Sequence, residues 1–358
     1  MNDPGASETV RRLAREEGFH RARIAPADLL PQQQRDAFAR WVAQGRHAGL
    51  KYLQRNEQVR DDPRRLLEDA RCVICLATSY AHDVADGPGI ARVARYARAR
   101  DYHKLLKKRC HRLMDRLGEE FPQFRGRAFV DAGPIMERSL AVLSGLGTAG
   151  CNGLLQVPGL GSYVLLSEIV CNLDLPPDEP LEAGRETPVV SAPPPIGTCL
   201  RCGACVAACP TAAIGPDGLI DVGRCVSYLT KETDHLPPER WEEIGTWIFG
   251  CDLCQEACPA NRSVPAGDTE WSGPARRLPE LTLAEVLGWT REDFQRIMAG
   301  TPVRKAGYER VLRNAILAAG NSGIPDLAPL VEQAARREPS LKPYADWALK
   351  RLAGEPNR

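Results

Sequence analysis

The chain lacks a charge bias: 47 Lys and Arg stand against 46 Asp and Glu, a net +1. Overall attraction therefore names no partner, and any surface for a polyanion must come from local clustering. It also lacks a secretory signature. The opening MNDPGASETVRRLAREEG has neither an apolar core nor a cleavage site, so no signal peptide or twin-arginine leader is expected, and the cytoplasm is the expected compartment. No run reads as a membrane span. The longest uncharged stretch, 139–167, is broken by glycines, Asn152, Gln156 and Pro158, whereas a span needs about 20 predominantly apolar residues. A Gly-rich pocket wall is the better reading. Nor is the composition that of a disordered chain: 43% of residues are hydrophobic and 26% charged. At 358 residues two or three domains and a sizeable core are expected.

Cysteine is what the chain has in excess. Of 13 cysteines, eight lie between Cys199 and Cys258. Without a leader, and with the cysteines so concentrated, a metal centre is expected rather than a disulfide framework. The first group, TCLRCGACVAACP, runs Cys199-x2-Cys202-x2-Cys205-x3-Cys209-Pro210. This is the bacterial ferredoxin spacing for [4Fe–4S] clusters, in which the fourth cysteine ligates a second cluster. Small residues between the cysteines (Gly203, Ala204, Ala207, Ala208) let the backbone crowd a cluster. The second group is Cys225 with Cys251-x2-Cys254-x3-Cys258-Pro259. Crossing the fourth ligands assigns Cys199, Cys202, Cys205 and Cys258 to one cluster. Cys209, Cys225, Cys251 and Cys254 then hold the other. Two zinc ribbons are the alternative, but ribbons need neither the three-cysteine run nor the Cys-Pro endings. Cys72 and Cys75 fall in an apolar, β-branched run and read as buried strand residues. Cys110, Cys151 and Cys171 read as core.

Helical spacing marks 6–17 and 31–44. Strands are expected at 71–79, 126–130 and 163–170, with helices at 101–119 and 136–145. Strands alternating with helices argue for an α/β first domain. The linker PVVSAPPPIG (188–197) separates it from the cluster module. From Leu278 the pattern is helical, and its last two segments resemble one pair of a HEAT-type repeat. The expected division is 1–187, 188–265 and 266–358. Nine Lys or Arg fall between Arg92 and Arg112 against the single Asp101. Arg304, Lys305, Arg310 and Arg313 form a second cluster. Each cluster is either a solvated helix face or a phosphate-binding surface. Asp131 follows the strand AFV and precedes Gly133-Pro134. It is either a strand-end acid aimed into a pocket or the cap of a helix starting near Pro134.

The segments RYARARDYHKLLKKR (95–109), FVDAGPIMERSLA (129–141), LGTAGCNGLL (146–155) and GSYVLLSEI (161–169), the last carrying Glu168, closely resemble the epoxyqueuosine reductases. So do RCVSYLT (224–230), IFGCDLCQEACPANR (248–262) and ERVLRNAILAAGN (309–321). The resemblance covers nearly the whole chain in order. It implies a multidomain α+β and α/β fold: a reductive dehalogenase-like cobalamin-binding domain, a ferredoxin-like module with two [4Fe–4S] clusters, and a helical, HEAT-like, tRNA-binding tail. The implied activity is reduction of epoxyqueuosine to queuosine at the wobble position of tRNA. Cobalamin would be fed by the clusters, an external low-potential donor would feed them, and the protein would act as a monomer. The resemblance gives Asp131 the role of proton donor at the cobalamin. It matches Arg60 to a corrinoid-side arginine and places Asp101, Asn152, Ser162 and Ser227 in corrinoid-contacting segments, where each also has local backbone groups to satisfy. Arg304, Lys305, Arg310 and Arg313 are the implied contacts to anticodon-arm phosphates, which position RNA without specifying it.

Two features depart from the family pattern. An aromatic-Ile-Gly-Lys-Asn segment is usual where this chain has Thr148-Ala149-Gly150-Cys151-Asn152, so Cys151 replaces the lysine and Thr148 the bulky residue. The acidic stretch usual before the first cluster is replaced by PVVSAPPPIG. Two other functions compete. A reductive dehalogenase shares the corrinoid and paired-cluster plan, but such enzymes are typically exported, and the basic clusters and helical tail favour RNA. A ferredoxin-type electron carrier leaves the long segment ahead of the clusters unexplained. Corrinoid binding, read from the visible spectrum, discriminates the carrier from both.

Overall fold

The computed structural model describes residues 4–181, 199–272 and 278–354; the linker 188–197 lies outside them. The first part is built on a four-stranded sheet: β1 (Arg21–Pro26), β2 (Cys72–Ser79), β3 (Gly126–Phe129) and β4 (Val164–Cys171), in the order β1-β2-β4-β3. Every pairing is antiparallel, so this sheet is of the α+β rather than the parallel α/β kind. All eight residues of β2 are buried. That is why its sequence, CVICLATS, is a continuous apolar run rather than an alternating one.

Each face of the sheet is covered by helices. The helix Tyr102–Glu120 buries Tyr102, Leu106, Cys110, Leu113 and Leu117, three or four residues apart on one stripe. With Val10 and Leu13 of Pro4–Glu16 it packs over Ile24, Ile74 and Ile169. Each fully buried leucine there contributes roughly 1.5–3 kcal/mol by removal from water. The opposite face packs on Leu140 and Ala141 of the short helix Glu137–Leu143. The expected strands and helices are present to within a few residues; β1 was not anticipated.

The cysteine-rich part uses short turns of helix, Ala204–Ala207, Val226–Lys231 and Leu253–Glu256. It is stitched to the first part by a parallel pairing of Arg92–Val93 with Trp247–Phe249. The C-terminal part is helical over Tyr308–Ser322, Ala328–Arg337 and Lys342–Leu352. The last expected helical segment is two helices because Pro339 and Pro343 interrupt it. Gly320 lets Tyr308–Ser322 approach Lys342–Leu352 closely: a Cβ there would lie 2.8 Å from Ala348 Cα. The tail shares one core with Ala91, Val93, Ala97, Ile248 and Phe249, so its helices rest on both other parts of the chain.

Candidate functional site

The eight cysteines gather in two sets by mutual charge interaction. Cys205 feels Cys199 and Cys258, and Cys258 feels Cys199 and Cys202. Cys225 feels Cys209, and Cys251 feels Cys225 and Cys254. Cys254 also feels Cys205, so the two sets are neighbours. Cys199, Cys202, Cys205 and Cys258 line one cleft. Backbone N–H groups, some from the first turns of the short helices and some from the loops between them, point toward the sulfurs. Ala213 N donates to Cys209 Sγ at 3.3 Å, Ser227 and Tyr228 N–H reach Cys225, and Ala260 and Asn261 N–H reach Cys258. Such N–H···S bonds stabilise thiolate charge and tune cluster potential. Burial pushes the free Cys254 thiol up to about 12, a cost that ligation to iron would offset. Among the described residues no three His, Cys, Asp or Glu side chains converge on a point fit for one metal ion. A cubane cluster takes its thiolates at separate iron corners.

Asp131 lies just past β3 with a backbone φ of +44°, a left-handed conformation that costs a non-glycine residue roughly 1–3 kcal/mol. Its carboxylate is exposed and accepts a hydrogen bond from the Tyr102 hydroxyl. The helix that follows starts at Glu137 with Met136 as its N-cap and no side-chain cap, so Asp131 does not cap it. His103 Nε2 stands 3.7 Å from Asp131 Oδ2. The other ring nitrogen, Nδ1, is 2.6 Å from Asp101 Oδ1. Asp101 also caps its helix by accepting the His103 N–H, and Lys305 Nζ pairs with it at 3.1 Å. A tail residue, Lys305, thus reaches the acid site of the first domain. Two further carboxyls lie behind Asp131. Burial, then the charge of Asp131, pushes Glu137 up to about 8. Burial, then Glu137 and Asp131, pushes Glu168 far above the carboxylate range; it is fully buried and neither oxygen has a hydrogen-bond partner.

The other expected site residues divide. Arg60 is buried beside the acid site, donating to Gly133 O at 3.2 Å and Tyr52 O at 3.3 Å, with Nε unpartnered. Asn152 is buried against the cysteine cleft, and its side chain hydrogen-bonds Cys254. Ser162 is engaged by the cluster module: its Oγ accepts from Asn261 Nδ2 at 2.9 Å and Gln255 Nε2 at 3.1 Å. Ser227 offers its backbone N–H to Cys225.

The basic residues divide too. Arg304 and Lys305 are exposed. Arg310 bonds Lys231 O, Ala306 O and Asp234. Arg313 corrects the expectation of a phosphate contact. It is 2% exposed and its guanidinium is spent on Thr233 O, Asp234 O, Leu229 O and Asn314 Oδ1, so it ties the tail to the cluster module. In the first basic run, Arg92 and Arg95 pair with Glu256, Arg98 with Glu280 and Arg109 with Asp268 and Glu270. Arg100, Lys104, Lys107 and Lys108 are exposed. Sequence reasoning missed Tyr102, His103 and Glu137. The RDYH and MER segments were in view, but only the fold reveals that they face Asp131.

A two-cluster cysteine module docked on an α+β domain, with an acid at the open edge of its sheet, is the arrangement of an iron–sulfur oxidoreductase. Comparison with known proteins agrees. Residues 60–132 match the family model described as epoxyqueuosine reductase QueG, DUF1730, and residues 198–261 match a 4Fe-4S double cluster binding domain. The epoxyqueuosine reductase of Pseudomonas aeruginosa is 36% identical over 96% of this chain and 94% of its own length. That of Escherichia coli is 31% identical over 96% and 88%. The structure of the Streptococcus thermophilus epoxyqueuosine reductase matches with a TM-score of 0.85 at 25% identity, over 98% of this chain and 91% of that one. An epoxyqueuosine reductase solved with an epoxyqueuosine-modified tRNA-Tyr stem loop shares the fold, with a TM-score of 0.75 at 24% identity over 98% and 99%. The chain belongs to the epoxyqueuosine reductase family.

Proposed function

We propose that this protein reduces epoxyqueuosine to queuosine at the wobble position of tRNA. The reaction takes up two electrons and two protons and releases the epoxide oxygen as water. The observation that carries this reading is the meeting at one place of Asp131, Tyr102, His103 and the tail residue Lys305, in a chain of this family with eight clustered cysteines.

We assign Cys199, Cys202, Cys205 and Cys258 to one [4Fe–4S] cluster and Cys209, Cys225, Cys251 and Cys254 to the other; the two sets of charge contacts support this crossing. Cobalamin is the second cofactor in this reading. The buried, unpartnered polar atoms Arg60 Nε and Thr148 Oγ1 suit a ligand rimmed with amides, since unsatisfied buried polar groups are costly. When bound, the corrinoid supplies a low-potential metal able to open a strained C–O bond.

The chain's own residues do the rest. Asp131 delivers a proton to the oxygen as the epoxide opens, the work of a positioned general acid. The Tyr102 hydroxyl fixes its carboxyl, and His103, oriented by Asp101, stands close enough to reload it. Glu137 and Glu168, both held toward the neutral form, keep protons behind it. Arg304, with exposed Arg100 and Lys104, offers phosphate contacts around the entry. The splayed wobble base supplies specificity. No helix among the described residues is long and apolar enough to cross a membrane. Action on tRNA places the protein in the cytoplasm in this reading, with an external low-potential donor and a single chain as the working unit. Mass spectrometry of nucleosides tests it. Epoxyqueuosine-containing tRNA incubated with protein, cobalamin and a low-potential reductant yields queuosine; its absence with both clusters intact overturns the substrate.

A further inference from the structure

The cleft of the first cysteine set holds one thiol more than a cluster needs. Cys151 lines it together with Cys199, Cys202, Cys205 and Cys258. It sits on the turn of a small hairpin in which Thr148 pairs with Gln156 and Ala149 with Leu155. That turn is tight. Gly150 N donates to Leu154 O at 2.8 Å, Gly153 N to Gly150 O at 2.9 Å, and a Cβ on Gly150 would meet Asn152 Oδ1 at 2.7 Å. The position of Cys151 is therefore set by backbone geometry, not by a loose loop. Its Sγ lies 3.7 Å from Cys199 Sγ. The two sulfurs are in contact, so Cys151 lies within reach of the iron corner that Cys199 would hold.

A second observation points to the same place. Gln156, 1% exposed, flanks this turn and lines the cleft with its Oε1 unpartnered, while Asn152 beside it hydrogen-bonds Cys254. Such an atom awaits a polar occupant.

We infer that Cys151 is a reserve ligand of the first [4Fe–4S] cluster, able to take the iron corner otherwise held by Cys199. The inference rests on the reading that this cleft holds a cluster. The exchange is not a redox step. The iron–sulfur bond to Cys199 breaks, the bond to Cys151 forms, and the proton of the Cys151 thiol passes to the departing Cys199 thiolate. The Sγ–Sγ contact is with Cys199, so the reserve is assigned to that corner.

The test is anaerobic reconstitution of the full chain, with iron and sulfide counted per protein and the reduced clusters observed by electron paramagnetic resonance. Cys151→Ala keeps both clusters, about eight irons. Cys199→Ala also keeps about eight, whereas Cys202→Ala and the double variant Cys151→Ala/Cys199→Ala lose the first cluster and retain the second as the control for folding. Alkylation mapped by mass spectrometry gives an independent readout. Cys151 is modified in the reconstituted wild type and is protected, like the cluster cysteines, in reconstituted Cys199→Ala. Loss of the first cluster from Cys199→Ala alone, or equal retention by the double variant, overturns the inference. A wild type that binds only the second cluster, or no iron, overturns the cluster reading of the cleft itself.

Discussion

The hydroxyl of Tyr102 donates to Oδ2 of Asp131, joining the first turn of one helix to a residue held in left-handed backbone just past β3. Neither residue needs the other for the fold of its own element. The contact aims the acid, and it gives the first prediction. Tyr102→Phe lowers the rate of queuosine formation by about 10–100-fold, as loss of a group that orients a general acid does, while the iron content and the KM for tRNA are unchanged. Single-turnover nucleoside analysis beside an iron assay reads both. A rate equal to wild type removes Tyr102 from the proton path.

Glu137 carries a pH signature. Burial and Asp131 hold it up to about 8 against an ordinary 4.5. Between those values the folded chain keeps a proton that the unfolded chain releases. The contribution to stability is fully present below pH 4.5 and is lost as pH rises through 8. Glu137→Gln cannot ionise, so its melting temperature relative to wild type climbs between pH 5 and pH 8. The corresponding relative gain in unfolding free energy reaches on the order of a few kcal/mol. A difference in Tm that stays flat across this window contradicts the assignment.

Arg313 and Arg304 separate architecture from recognition. Arg313→Ala leaves the carbonyls of Leu229, Thr233 and Asp234 without their donor, of which the buried Leu229 carbonyl alone costs about 1–3 kcal/mol when left unpaired. Thermal unfolding records a clear drop in Tm. Arg304→Ala leaves Tm unchanged, weakens tRNA binding, and lowers the slope of log K against log salt by roughly one. Binding titrations at several salt concentrations measure it. An unchanged slope excludes Arg304 from the phosphate contacts.

Much of this was legible in the sequence, for identifiable reasons. β2 announced itself because burial on both faces demands an unbroken apolar run. The cysteines were legible because cluster ligation fixes their spacing within a few residues. β1 was not: RARIAP is a short edge strand in which only Ile24 and Ala25 are buried, so it carries no alternation to detect. The basic run 92–112 was ambiguous because its partners, Asp252, Glu256, Asp268 and Glu280, lie some 150–180 residues downstream. Proximity in space, not in sequence, decided that Arg95, Arg98 and Arg109 are structural. The same holds for Arg313, whose place on a helix looked like any solvated arginine until three distant carbonyls closed around it.

The central claim, that Asp131 protonates the opening epoxide in a cluster-fed reduction, is tested most directly by comparing wild type with Asp131→Ala. Both are reconstituted with iron and cobalamin, and mass spectrometry follows a single turnover of epoxyqueuosine-containing tRNA. The account predicts equal iron, equal corrinoid binding and cluster reduction, with queuosine formed by the wild type and lost in Asp131→Ala by about 100-fold or more, the scale of a removed general acid. Queuosine formed at the wild-type rate by Asp131→Ala would contradict it.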